Sequence, residues 1–189
     1  MAKSKNNVVT HGLSGLIGDL LVFRQRANKT IVANRPRPFS KPATALQLEI
    51  QKRLKNAALY AKTAILDPLL KAGYEAEARM GQSAFNRAFK DYQLAPEFDE
   101  DVNLSTYTGA IGEEISVSVI DDFQVIGVKV KIINADTSLL EEGDALQSAN
   151  GLDWIYTSTV VNAAVSGSKI IFTASDLPGN QTMLEKVLP

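Results

Sequence analysis

Hydrophobic and polar positions follow two rhythms along this chain, and the change falls near Pro96. Before it, residues 19–25 (Asp-Leu-Leu-Val-Phe-Arg-Gln) and 29–34 (Lys-Thr-Ile-Val-Ala-Asn) read as two strands. Arg26-Ala27-Asn28 between them can turn, because Asn tolerates a left-handed backbone, so the pair predicts a β-hairpin. An isolated hairpin is marginal in water, so it must pack on the helices behind it or on another subunit. Residues 1–17 are polar, then punctuated by Gly12, Gly15 and Gly18, and read as a flexible arm. No Gly-Lys-Ser/Thr follows those glycines, which excludes a phosphate loop.

Pro36, Pro38 and Pro42 make the next stretch an extended linker. Thr44 with Gln47 forms a capping box. Leu46, Ile50, Leu54, Ala57, Ala61 and Ile65 then recur at three and four, the stripe of an amphipathic helix. Asp67-Pro68 closes that helix and caps a second, which Gly81 breaks. Ser83 caps a third, with Phe85, Ala88, Phe89 and Tyr92 as its apolar face, expected to pack on the Leu46–Ile65 stripe.

Period two takes over after an acidic linker at Glu97, Asp99, Glu100 and Asp101. Residues 114–119 alternate cleanly, and Val128, Val130 and Ile132 share one face of the 125–133 run. Residues 138–141, 154–161 and 169–174 give three more strands, with Trp154 and Tyr156 expected in the core. Asp121-Asp122, Asn134-Ala135-Asp136, Glu142-Gly143-Asp144, Asn150-Gly151 and Ser166-Gly167 read as turns. Short strands at this spacing predict a β-sandwich. The expected fold is α+β: arm and basic hairpin over 1–42, helices over 43–96, an antiparallel immunoglobulin-like sandwich over 97–189.

Charge sharpens the division. Residues 1–96 carry 16 Lys/Arg against 6 Asp/Glu, a net of +10; residues 97–189 carry 4 against 15, a net of −11. Such asymmetry concerns partners rather than fold. The chain has no cysteine and one histidine, His11, so disulfides, thiolate metal sites, histidine clusters and a Ser-His-Asp site are not expected. The paired carboxylates Asp121-Asp122, Glu113-Glu114 and Glu141-Glu142 are poor acid/base dyads, since neighbours on a strand point to opposite faces. A Ca²⁺ site drawing on Asp121, Asp122, Asp136 or Asp176 is the one metal reading weighed, and no loop has calcium-motif spacing. No cofactor and no small-molecule substrate is expected.

The C-terminal half resembles bacterial immunoglobulin-like modules. The resemblance rests on Asp121-Asp122-Phe123-Gln124-Val125-Ile126-Gly127-Val128, on Trp154-Ile155-Tyr156, and on Thr173-Ala174-Ser175-Asp176-Leu177-Pro178-Gly179-Asn180. It implies adhesion, decoration or spacer roles rather than catalysis, in a family that is usually exported. The N-terminal half is similar to an uncharacterised group of Bacteroidota proteins, through residues 12–19, Lys41-Pro42-Ala43-Thr44 and Gln47. Leu16-Ile17 stands where that group is expected to have Lys-Val. The similarity implies no activity and favours a bacterial or bacteriophage origin.

These readings converge on a non-enzymatic structural subunit, a homo-oligomer assembling head-to-tail into a filament, ring or particle. The basic contact residues are Arg24, Arg26, Lys29, Arg35, Arg37 and Lys41, in a stretch without an acid. The acidic partner surface is Asp99, Glu100, Asp101, Glu141, Glu142 and Asp144. The alternative is a nucleic-acid-binding protein, its basic ribbon tracking phosphates. No apolar run reaches the ~20 residues of a membrane helix. The first residues lack the apolar core of a secretion signal, so the expected location is the cytoplasm or a particle assembled there.

Overall fold

The computed structural model describes residues 2–4, 7–26, 29–36, 42–99 and 102–189, with residues 2–4 as backbone alone. Among the described residues, three helices and a set of antiparallel strands in three sheets make the fold α+β.

The first sheet is larger than the expected hairpin. Strands β3 (Leu21–Arg26) and β4 (Lys29–Asn34) do pair, in register from Leu21 opposite Asn34 to Arg26 opposite Lys29. Residues 27 and 28 of the expected turn lie outside the described residues. The expected arm contributes two further strands, β1 (Ala2–Ser4) beside β4 and β2 (Gly15–Ile17) beside β3. Gly18, at a φ of +51°, opens the turn that sends β2 back into β3. Gln25 Nε2 ties the sheet together, donating to Leu13 O at 2.6 Å and Thr30 Oγ1 at 2.8 Å. Among the described residues of this sheet, Phe23 and Thr30 are the buried side chains.

Helix α1 (Ala45–Ala64) begins where the capping box predicts: Thr44 Oγ1 accepts from Gln47 N at 3.3 Å, and Gln47 Oε1 accepts from Thr44 N at 2.9 Å. Asp67 caps α2 (Pro68–Ala76), which ends before Gly81, and Ser83 caps α3 (Ala84–Asp91). The packing differs from expectation. Ala57, Ala61 and Ala64 of α1 are buried, and Tyr92 meets Tyr60 at a ring separation of 5.5 Å. Leu46, Ile50 and Leu54 of the same stripe remain 66%, 49% and 41% exposed. At 1.5 Å per residue, α1 is about 30 Å long and α3 about 12 Å, so α3 covers only the C-terminal part.

The β part closes two sheets on one core. One has the order β5 (Glu97–Phe98), β6 (Glu114–Ile120), β10 (Asp153–Thr157), β9 (Leu146–Gln147). The other runs β12 (Gln181–Val187), β11 (Lys169–Asp176), β7 (Val125–Ile133), β8 (Leu139–Asp144). Ile115, Val117 and Val119 from the first sheet meet Val128, Val130, Ile132, Ile170 and Phe172 from the second, with Trp154 and Tyr156 filling the core. The period-two reading therefore holds at β6, β7 and β11.

Three boundaries are corrected. The expected linker at Glu97 is strand β5, and Phe98 packs on the core. Glu142-Gly143-Asp144 is strand, not turn. Its glycine is there for close approach: a Cβ at Gly143 would lie 2.7 Å from Tyr156 Cε2. The strand expected over 154–161 stops at Thr157; Ser158 keeps backbone hydrogen bonds to Glu113 and Gly112 and donates its hydroxyl to Ala110 O at 2.7 Å.

Candidate interaction surface

The junction between helices and sheets is held by polar side chains. Arg87 of α3 reaches Asp122 Oδ2 and Glu77 Oε2, each at 2.9 Å, and Lys90 also contacts Asp122. The two pairs with Asp122 cross Pro96, so part of the charge complementarity is met within one copy. Asn180 Nδ2 donates to Leu94 O at 2.8 Å and to Asp176 Oδ2 at 2.7 Å. Tyr74 stacks on Phe123 with ring centroids 4.1 Å apart. Its hydroxyl donates to Asp91 Oδ2 at 2.6 Å and lies 2.9 Å from that of Tyr60. Asp91 is fully buried, and among the described residues Oδ1 has no hydrogen-bond partner. Burial pushes its carboxyl up to about 7, partly opposed by the Tyr74 hydrogen bond; Asp121, Asp176 and Asp122 add to the rise. Burial likewise raises Asp176, against the hydrogen bonds from Asn180.

The carboxylates considered for catalysis or calcium serve as turn and loop anchors. Glu113 accepts from the Thr108 hydroxyl and from N–H groups of Thr108, Gly109 and Ala110, and the Thr108 hydroxyl foremost holds it below the usual carboxylate range. Asp121 Oδ2 accepts from Gln124 N, Asp136 Oδ1 from Ser138, and Asp176 Oδ1 from Asn180 N. Among the described residues no three His, Cys, Asp or Glu side chains are grouped to hold a metal. His11 is exposed.

The basic residues divide. Strand register sets Arg24 beside Ile31 and Arg26 beside Lys29, so Arg24, Arg26 and Lys29 share one face of the first sheet. All three are exposed, and among the described residues none makes an ion pair. Val22, Ala33 and Leu16 continue that face. Arg35 instead turns to Asp19. Arg37 and Lys41 lie outside the described residues.

The acidic set is not one surface. Glu100 and Asp101 lie outside the described residues, and Asp99 is exposed after β5. Glu142 and Asp144 are exposed on β8, with Lys129 and Lys131 at 3.6 and 3.7 Å from Glu142. Because β12 lies against β5 while β9 lies against β7, strands β5 and β8 occupy opposite edges. Glu141 is buried and accepts from the Tyr156 hydroxyl at 3.0 Å, Thr159 N at 2.9 Å and Thr159 Oγ1 at 2.7 Å. Burial, then Glu141, pushes the Tyr156 phenol up to about 12.

What sequence patterning missed is exposure. Residues 45–56 of α1 are exposed on every side, Leu46, Leu48, Ile50 and Leu54 included. Val8, Val9, Leu16, Ile17, Leu20 and Leu21 are also exposed. Charge divides at the same place: residues 1–56 carry 11 Lys/Arg and 2 Asp/Glu, a net of +9, and residues 57–189 carry 9 against 19, a net of −10. No described helix is long and apolar enough to cross a membrane. Compared with known families, with curated proteins and with solved structures, the chain matches none.

Proposed function

We propose that this chain is a non-enzymatic structural subunit that assembles head-to-tail, its N-terminal sheet and the first turns of α1 engaging the acidic body of a neighbour. The observation that carries this reading is in the N-terminal part: residues 1–56 have a net charge of +9, and their described residues include a series of exposed aliphatic side chains. Fully burying each such side chain contributes ~1.5–3 kcal/mol. A head-to-tail contact joins two different surfaces, so it closes rings or grows filaments. The short strand β1 (Ala2–Ser4) and strand β12 stand at sheet edges, the position where a neighbouring strand adds to a sheet. The resemblance of the β part to immunoglobulin-like modules supports a decorating or spacing role, in a cytoplasmically assembled particle of bacterial or bacteriophage origin. Negative-stain images of the purified chain test this directly. Rings or filaments are expected, and isolated single particles at all concentrations contradict it.

One observation favours a second reading, nucleic-acid binding: Arg24, Arg26 and Lys29 share a face and make no ion pair among the described residues. Phosphate contacts made by three cations would give a salt slope of roughly −3 in log K. Anisotropy titrations with labelled DNA and RNA separate the two readings; binding that vanishes steeply with salt supports the second, and no binding at low salt eliminates it.

A further inference from the structure

The helices meet the sandwich through a small set of side chains. Phe123 of the β6–β7 turn stacks on Tyr74, and its ring lies so close to Gly73 that a Cβ there would come within 3.1 Å of it. Leu177 joins Phe123 against the helical cluster of Ala61, Ala64, Tyr74, Ala84 and Ala88. Asn180, held by Asp176 at 2.6 and 2.7 Å, donates to Leu94 O at 2.8 Å and Tyr92 O at 3.3 Å, just past α3. Asp91 sits at the centre of this joint. Around it stand the Tyr60 hydroxyl from α1, the Tyr74 hydroxyl from α2, Asp121 and Asp122 from the β6–β7 turn, and Asp176 from β11. Arg87 and Lys90 of α3 engage Asp122, and Arg87 also engages Glu77 of α2. Asp121 and Asp176 thus face Asp91 without a cation among the described residues. Asp91 and Asp176 are fully buried, and Asp91 Oδ1 and Asp121 Oδ1 are buried without a hydrogen-bond partner among the described residues. A charge on Asp91 would be costly in such a place, since a buried carboxylate needs pairing.

We propose that this joint is a proton-gated latch: a proton on Asp91 keeps α1–α3 docked on the sandwich, and its loss frees the helices as a unit while the sandwich stays folded. The sandwich has a core of its own, with Ile115, Val117, Val130, Ile132 and Phe172 at its centre, and the helices have theirs. The cost of ionising Asp91 therefore falls on the contacts between the two, which open to let water reach the carboxylate. The direction of the effect follows from burial, which pushes this carboxyl up to about 7. The docked form is favoured in full below the ordinary carboxylate value, and that preference is lost as pH rises through about 7. The latch is independent of the self-assembly reading.

The chain has no cysteine, so a pair of introduced cysteines takes spin labels unambiguously. Leu69 on α2 and Ile126 on β7 are both exposed, so Leu69→Cys with Ile126→Cys leaves both cores untouched. The doubly labelled full chain, diluted in unlabelled chain, is measured by pulsed electron resonance at pH 5 and pH 8. Trp154, the only tryptophan, lies in the sandwich core and reports by its emission whether the sandwich is folded. The expected result is one narrow distance at pH 5, a longer and broader distribution at pH 8, and unchanged Trp154 emission. Asp91→Asn is expected to keep the narrow distance at both pH values. Asp121→Asn keeps an oxygen for Gln124 N and removes the carboxylate that repels Asp91 most, so it retains more of the narrow distance at pH 8. A parent chain with the same narrow distance at both pH values overturns the latch. So does Trp154 emission that shifts together with the distance, or opening at pH 8 that Asp121→Asn and a folded Asp91→Asn both leave unchanged.

Discussion

Asp91 is the residue whose surroundings set the clearest demand on solution behaviour. Its carboxyl is buried at the junction with Tyr74 and Tyr60 on the helices, Asp121 and Asp122 on the β6–β7 turn, and Asp176 at the end of β11, while Arg87 and Lys90 are committed to Asp122. A folded value of about 7 exceeds the unfolded one of roughly 3.9. The native state therefore holds the proton more tightly, and stability from this group is present in full below the unfolded value and is lost as pH rises through about 7. Asp91→Asn keeps an oxygen for the Tyr74 hydroxyl and removes the charge. Urea melts between pH 5 and pH 8 should show the parent chain weakening with pH and the variant weakening less, Asp176 retaining its share. An unchanged slope would place the titration elsewhere. Nothing around Asp91 in the chain marks it as buried. Its burial comes from Tyr74 and from turns far along the sequence, whereas the caps at Thr44, Asp67 and Ser83 use partners within three residues and are legible directly.

Among the elements, those defined by local pattern were readable and those defined by pairing were not. β6, β7 and β11 alternate because both sheets bury one face on a shared core. β12 did not reveal itself: its half-buried positions are Thr182, Leu184 and Lys186, an edge-strand mixture without an apolar face. β2 is three residues long beside a glycine turn, and β5 hides in a run of acids. The stripe of α1 was visible, but period alone cannot say whether a partner is supplied by the same chain. A half-helix exposed on all sides draws its stability from propagation out of the packed turns, since short isolated helices are marginal. Amides of residues 48–56 should therefore exchange quickly in dilute monomer and slow as concentration rises. Hydrogen exchange by mass spectrometry across a dilution series checks this, and protection independent of concentration speaks against α1 as an assembly element.

For the whole molecule, the division seen at Pro96 moves to residue 56. The helical junction belongs with the acidic body, through Arg87, Lys90 and Asn180, while Leu46, Leu48, Ile50 and Leu54 of the basic part stay exposed, although Arg53 reaches Gln93 O. Charge and exposed apolar area then act together, charge setting encounter and register, buried area setting persistence. Screening shortens the first influence to ~8 Å at physiological salt, so assembly should slow with salt before it dissolves. The most direct measurement is sedimentation velocity of the full chain beside a chain lacking residues 1–42. The account predicts concentration-dependent species larger than a monomer for the full chain and a folded monomer, or at most weak association through α1, for the shortened one. A full chain that stays monomeric throughout, or a shortened chain that assembles as readily, would contradict it.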